Sequence, residues 1–143
     1  MSATFVGVVY PNQLDHMGHA NVQYYASMFD QATWAFLSDF GITAEYMKTN
    51  RRGMAALSQQ TKYILELFSG DIVEIETELL EVTDKTVRFA HAMRRRGQID
   101  VVATSELVGV HFDTEIRKSC PFPEEIRRRL MSKVGSASSE RGM

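Results

Sequence analysis

One predicted helix, over 22–40, constrains this chain more than any other feature. Val22, Tyr25, Ala26, Phe29, Thr33, Phe36, Leu37 and Phe40 follow i, i+3, i+4 spacing and form an apolar stripe. Tyr24, Met28, Trp34 and Ala35 carry apolar surface onto the remaining faces, and the only charges are Asp30 and Asp39. Gly41 supplies the C-terminal stop. A helix apolar on more than one face has to be covered on more than one face.

The rest of the chain reads mainly as strand. Residues 4–10 are β-branched and aromatic and end at Pro11. A short helix is expected over 43–49 and a strand over 54–67. Over 72–83, Val73, Ile75, Thr77 and Leu79 alternate with Glu74, Glu76 and Glu78, which is period two with one wet face. Over 86–96, Val87, Phe89, His91 and Met93 share a face. The stretch 99–112 is apolar on both faces in places, as expected of a central strand or a subunit contact. Tight turns at Asp84-Lys85 and Gly97-Gln98 join the last three strands into an antiparallel meander. The expected class is α+β, with one long helix wrapped by a curved antiparallel five-stranded sheet. A short charged helix follows over 123–133, with Glu124 and Glu125 in its first turn and Arg127 to Arg129 later. The Ser/Gly-rich stretch 135–143 is expected to be a disordered tail, leaving 1–134 as one domain. The uncovered sheet face and edges predict a homo-oligomer.

At 143 residues, with 44% hydrophobic and 24% charged residues, the chain can bury a core. A formal net charge of −2 gives no electrostatic reason to expect nucleic acid or an anionic membrane as partner. The lone Cys120 excludes an intrachain disulfide and fits a reducing, cytoplasmic compartment. No stretch approaches the roughly 20 apolar residues of a membrane span, and no basic-then-apolar leader pattern opens the chain.

The chemistry concentrates just before the long helix, in Leu14-Asp15-His16-Met17-Gly18-His19-Ala20-Asn21, followed by Val22-Gln23-Tyr24-Tyr25. Gly18 permits a sharp turn, and Asn21 suits a helix N-cap. The first N–H groups of a helix lack intrahelical partners, and the helix dipole favours negative charge there. By itself, an Asp in such a loop reads as a turn former. Asp15, His16 and His19 suggest a metal, but no Cys cluster or third nearby imidazole completes a site. His91 and His111 read as structural histidines. Cys120 lacks a Cys–His signature, and no serine-hydrolase elbow or phosphate-binding Gly-rich loop is present. No cofactor is expected.

Asp15-x-x-Gly18-His19-x-Asn21, with Tyr25 and then Phe29-Asp30, resembles the hotdog-fold acyl-CoA thioesterases of the 4-hydroxybenzoyl-CoA thioesterase type. The segment 63–71 (YILELFSGD) resembles that family's second strand and Gly-Asp turn. The likeness runs over about 5–112. One departure is Val22, which stands where the family pattern has a second Asn. The resemblance implies an acyl-CoA substrate, a dimeric or tetrameric assembly, and Asp15 as general base or nucleophile. It also implies backbone N–H groups at the helix start, around 22–25, that polarise the thioester carbonyl. His19 and Asn21 would complete the catalytic set, and His16, Gly18, Val22, Gln23 and Tyr25 would line the substrate. Arg51, Arg52 and Arg94 are the candidates for the CoA phosphates. Two other readings stay open: a hotdog protein that binds an acyl thioester without cleaving it, and a hydroxyacyl-thioester dehydratase pairing His19 with Asp30.

Overall fold

The computed structural model describes residues 2–141, with side chains through 134. The elements are β1 (Ala3–Val8), a 3-10 turn (Pro11–Gln13), α1 (Val22–Ser38), α2 (Ala44–Asn50), β2 (Arg52–Tyr63), β3 (Ile72–Val82), β4 (Thr86–Arg95), β5 (Val101–Asp113), the two-residue β6 (Lys118–Ser119) and α3 (Glu124–Arg141). The strand order is β1-β3-β4-β5-β2, with β6 added to β5. β1 pairs antiparallel with β3, Val8 opposite Ile72. Short turns make β3-β4-β5 a meander. β2 runs antiparallel to β5, since Thr114 N–H donates to Arg51 O and Ile64 N–H to Val102 O. The helix α1 and five main strands in this order make the expected α+β hotdog fold.

The chain divides into two compact units. The first comprises 1–36, 61–77 and 91–105. Its core is Val9, Ala20, Tyr25, Met28, Phe29, Ala32, Leu67, Val73, Ile75, Met93, Val102 and Ala103. The predicted inward faces of β3 and β4 are buried at every alternate position from Val73 to Leu79 and from Val87 to Met93. The helix stripe is rotated from its predicted position: Met28 and Ala32 are buried, while Val22 and Ala26 are exposed. Trp34 and Ala35, on the second apolar face, are exposed as well. A hydroxyl–imidazole chain crosses this core. Thr33 Oγ1 lies 2.8 Å from His91 Nε2, His91 Nδ1 lies 2.7 Å from Thr77 Oγ1, and Thr77 Oγ1 lies 2.8 Å from Thr4 Oγ1. His91 also stacks on Phe29, and burial lowers its pKa from 6.5 to about 4.

The second unit comprises 37–60, 78–90 and 106–143. Thr43 caps α2 through Tyr46 N–H, and Arg51 closes it in the left-handed region at φ 55°. A Cβ at Gly53 would lie 2.7 Å from the Phe112 ring, so a larger residue there would have to displace that ring. Buried His111 accepts from Tyr46 Oη at Nε2 (2.9 Å), so Nδ1 donates to Cys120 O, also at 2.9 Å. His111 and His91 are thus structural, as expected. α3 continues past the expected end at Lys133. The expected disordered tail, 135–143, lies outside the described residues in its side chains throughout and in its backbone at 142–143.

Candidate active site

The loop between β1 and α1 belongs to the first unit and is fastened at its base. Leu14 and Ala20 form an antiparallel bridge, Asn21 N–H donates to Gln13 O, and Ala20 N–H donates to Leu67 O, the latter two at 2.8 Å. Between these ties the chain turns tightly, with Gly18 N–H donating to Asp15 O at 3.0 Å and Gly18 at φ 84°. Only glycine holds that φ without strain.

Asp15 is half-buried. Its Oδ1 accepts from Met17 N–H at 2.8 Å and from His19 N–H at 3.4 Å. Its Oδ2 has no hydrogen-bond partner among the described residues. The two oxygens therefore differ: one fixes the loop, and the other keeps its accepting capacity. The two imidazoles do not meet this carboxylate. His16 is exposed, and the His19 ring turns to Glu66, with Nε2 3.7 Å from Oε2, and to Phe68, edge-on at 5.2 Å. His19 reaches Asp15 through its main chain alone. No group of three metal-ligating side chains comes together among the described residues.

Asn21 caps α1, its Oδ1 accepting from Gln23 N–H at 3.1 Å and its carbonyl from Tyr24 N–H at 2.9 Å. These bonds remove Gln23 and Tyr24 from the donors expected around 22–25. Val22 N–H has no partner among the described residues, as the first N–H groups of a helix lack intrahelical acceptors. Tyr25 is buried 5.2 Å edge-on from Tyr63, with a backbone hydrogen bond from Leu67, and burial raises its pKa. It is a buried wall of this region.

The arginines expected to take CoA phosphates all have acceptors. Arg94 Nε donates to Ile99 O at 3.0 Å in the first unit. In the second unit Arg51 pairs with Glu115, and Arg52 pairs with Asp113 at 3.0 Å. Asp113 also accepts from Glu115 and Ile116 N–H, and these bonds, with Arg52, hold its pKa low. Glu66 is the residue that sequence reading does not single out. Its one signal in the sequence is its place inside the segment 63–71, the strand and Gly-Asp turn of the family resemblance.

Comparison with known proteins gives a concordant picture. A family model described as the thioesterase-like superfamily matches residues 9–130. The betainyl-CoA thioesterase of Pseudomonas aeruginosa is 26% identical over 127 residues, covering 89% of this chain and 80% of the relative. A Pseudomonas putida protein described as a candidate thioesterase is 26% identical, with a TM-score of 0.80 over 95% of this chain and 88% of that one. A Staphylococcus aureus protein solved in complex with CoA superposes with a TM-score of 0.86 at 18% identity, over 92% of this chain and 82% of that one. No helix among the described residues is long and apolar enough to cross a membrane.

Proposed function

We propose, for a chain that belongs to the thioesterase-like superfamily, that it hydrolyses an acyl-CoA thioester and that turnover depends on Asp15. The carrying observation is the divided carboxylate: Oδ1 is held by two backbone N–H groups, and Oδ2 is open. In this reading water adds to the thioester carbonyl carbon and the C–S bond breaks. CoA leaves as a thiolate that takes up the proton, and the acyl group leaves as the free acid. Asp15 Oδ2 accepts the proton from water as general base, or attacks the carbonyl itself to form an anhydride that water then opens. Val22 N–H, at the positive end of the α1 dipole, donates to the carbonyl oxygen as negative charge develops. His19 serves through its main chain, which fixes Asp15, and Asn21 serves as the cap that engages Gln23 and Tyr24 N–H and leaves Val22 N–H to the substrate.

A homo-oligomer is part of the same proposal. β2 is an edge strand whose residues 55–60 are all exposed, Leu57 at 62%. An edge of that length and character needs cover, and a second copy of the chain supplies it. The alternative of a thioester-binding protein without turnover is favoured by one feature, the exposed apolar Val22 where a polar residue would strengthen the helix start.

The test is a panel of acyl-CoAs, short, long, aromatic and betainyl, followed by release of free thiol with wild type and Asp15→Asn. Betainyl-CoA enters the panel because it names the Pseudomonas aeruginosa relative. Turnover by wild type alone is expected. Equal turnover by both proteins removes Asp15 from the mechanism, and saturable binding without turnover by either favours the binding protein.

A further inference from the structure

The geometry points to a subsite for a positively charged acyl group beside Asp15, built from Glu66, Tyr63 and Phe68. This deepens the thioesterase reading and rests on it. The segment that leaves β2 is pinned next to the loop. Ile64 and Leu65 N–H both donate to Val102 O, at 2.9 and 3.0 Å, the Arg95 guanidinium donates to Glu66 O, and Leu67 O accepts from Ala20 N–H. The backbone on either side of Glu66 is thereby fixed, while its side chain remains 63% exposed.

Its nearest described polar neighbour, His19 Nε2 at 3.7 Å, is beyond hydrogen-bond distance, so both carboxylate oxygens keep their capacity for a ligand. Two aromatic rings stand on the same segment. Phe68, 46% exposed, meets His19 edge-on, and Tyr63, 50% exposed, meets Tyr25 edge-on. Aromatic faces with a carboxylate recognise a quaternary ammonium group, through the ring quadrupole and through charge. The arginines of β4 and its turn are already engaged, Arg95 with Asp71 at 3.0 Å, Arg96 with Glu74 and Arg94 with Ile99 O, while Lys62, four residues before Glu66, is exposed. Glu66 and Asp15 are linked through the two ends of His19, its ring and its main chain. An acyl group carrying a carboxylate would meet like charge there, and one carrying an ammonium would meet opposite charge.

The experiment compares two thioesters of one shape, trimethylammonioacetyl-CoA and its neutral isostere tert-butylacetyl-CoA, with wild type, Glu66→Gln, Glu66→Asp and Glu66→Lys. The expected result is a wild-type kcat/KM ratio of about tenfold or more in favour of the cation. The ratio should fall toward one in Glu66→Gln, persist in part in Glu66→Asp and invert in Glu66→Lys. Hydrolysis of both substrates at equal efficiency, or a ratio unmoved by Glu66→Gln, overturns the subsite and leaves the thioesterase reading standing. No hydrolysis of either substrate, or of any member of the wider panel, overturns both.

Discussion

The first unit holds two sets of hydrogen-bonding groups that look alike in composition and differ in what they leave open. The Asp15 loop has a carboxylate whose Oδ1 is bound and whose Oδ2 is open, and an imidazole that reaches only a loose 3.7 Å contact. The His91 chain has an imidazole bound at both nitrogens, with Thr33, Thr77 and Thr4 buried or partly buried around it. One is half-exposed with spare capacity, and the other is closed on itself. Titratable groups with satisfied partners organise a core, and those with a free position beside an open helix start are available to a substrate.

The contrast breaks most visibly at Asp15. Asp15→Asn keeps a group that can accept from Met17 and His19 N–H but loses the base, so kcat should fall by about 10²–10⁴-fold with little change in the urea midpoint. A large loss of stability instead would make Asp15 a structural residue of the same kind as His91. The next effect in size belongs to His91. Its folded pKa of about 4 lies below the usual 6.5, so between those values the unfolded chain binds the proton more readily. Stability is full above the higher value and falls as pH drops toward the lower one, by about 3 kcal/mol in all. Urea unfolding at pH 7 and at pH 4, wild type against His91→Gln, measures it, and a pH-independent difference would refute the burial of a neutral ring. Thr33→Val leaves one nitrogen of that ring without its hydroxyl and should cost about 2 kcal/mol, with turnover per folded molecule retained. Asn21→Ala, which removes the α1 cap, should cost about 1 kcal/mol. Turnover should also drop, because an uncapped first turn frays where Val22 N–H must be held.

The sheet was legible because alternation survives translation into structure: the buried faces of β3 and β4 are those that Val73, Ile75, Val87 and Phe89 mark out. The loop was legible through its spacing, since Asp15 and Gly18 close one turn and Asn21 caps the helix it precedes. β2 ends earlier than its apolar run suggests, at Tyr63, because Ile64 and Leu65 share one acceptor at Val102 and the ladder is interrupted there. A local apolar pattern cannot report a shared long-range acceptor. For the same reason Glu66 was missed: its neighbour His19 lies far off in sequence, and long-range contacts such as Ala20 with Leu67 and His19 with Phe68 bring the two segments together. The partners of Arg51 and Arg52, Glu115 and Asp113, were not legible either, because they come from a distant strand end.

The His91 chain also has a property that belongs to proton order rather than to packing. It contains five contacts: Thr4 with Ile75 O, Thr4 with Thr77, Thr77 with Nδ1, Nε2 with Thr33, and Thr33 with Phe29 O. Three hydroxyls and a neutral ring supply four protons for them. A fifth proton would complete the row, but burial lowers the pKa of the ring to about 4 and so favours its neutral form. The row therefore carries one vacancy, as a line of water molecules in ice carries a bond without hydrogen. Each position of the vacancy selects a tautomer of His91, so a single heavy-atom arrangement holds several protonic states, and the ¹⁵N shifts of the ring report their average.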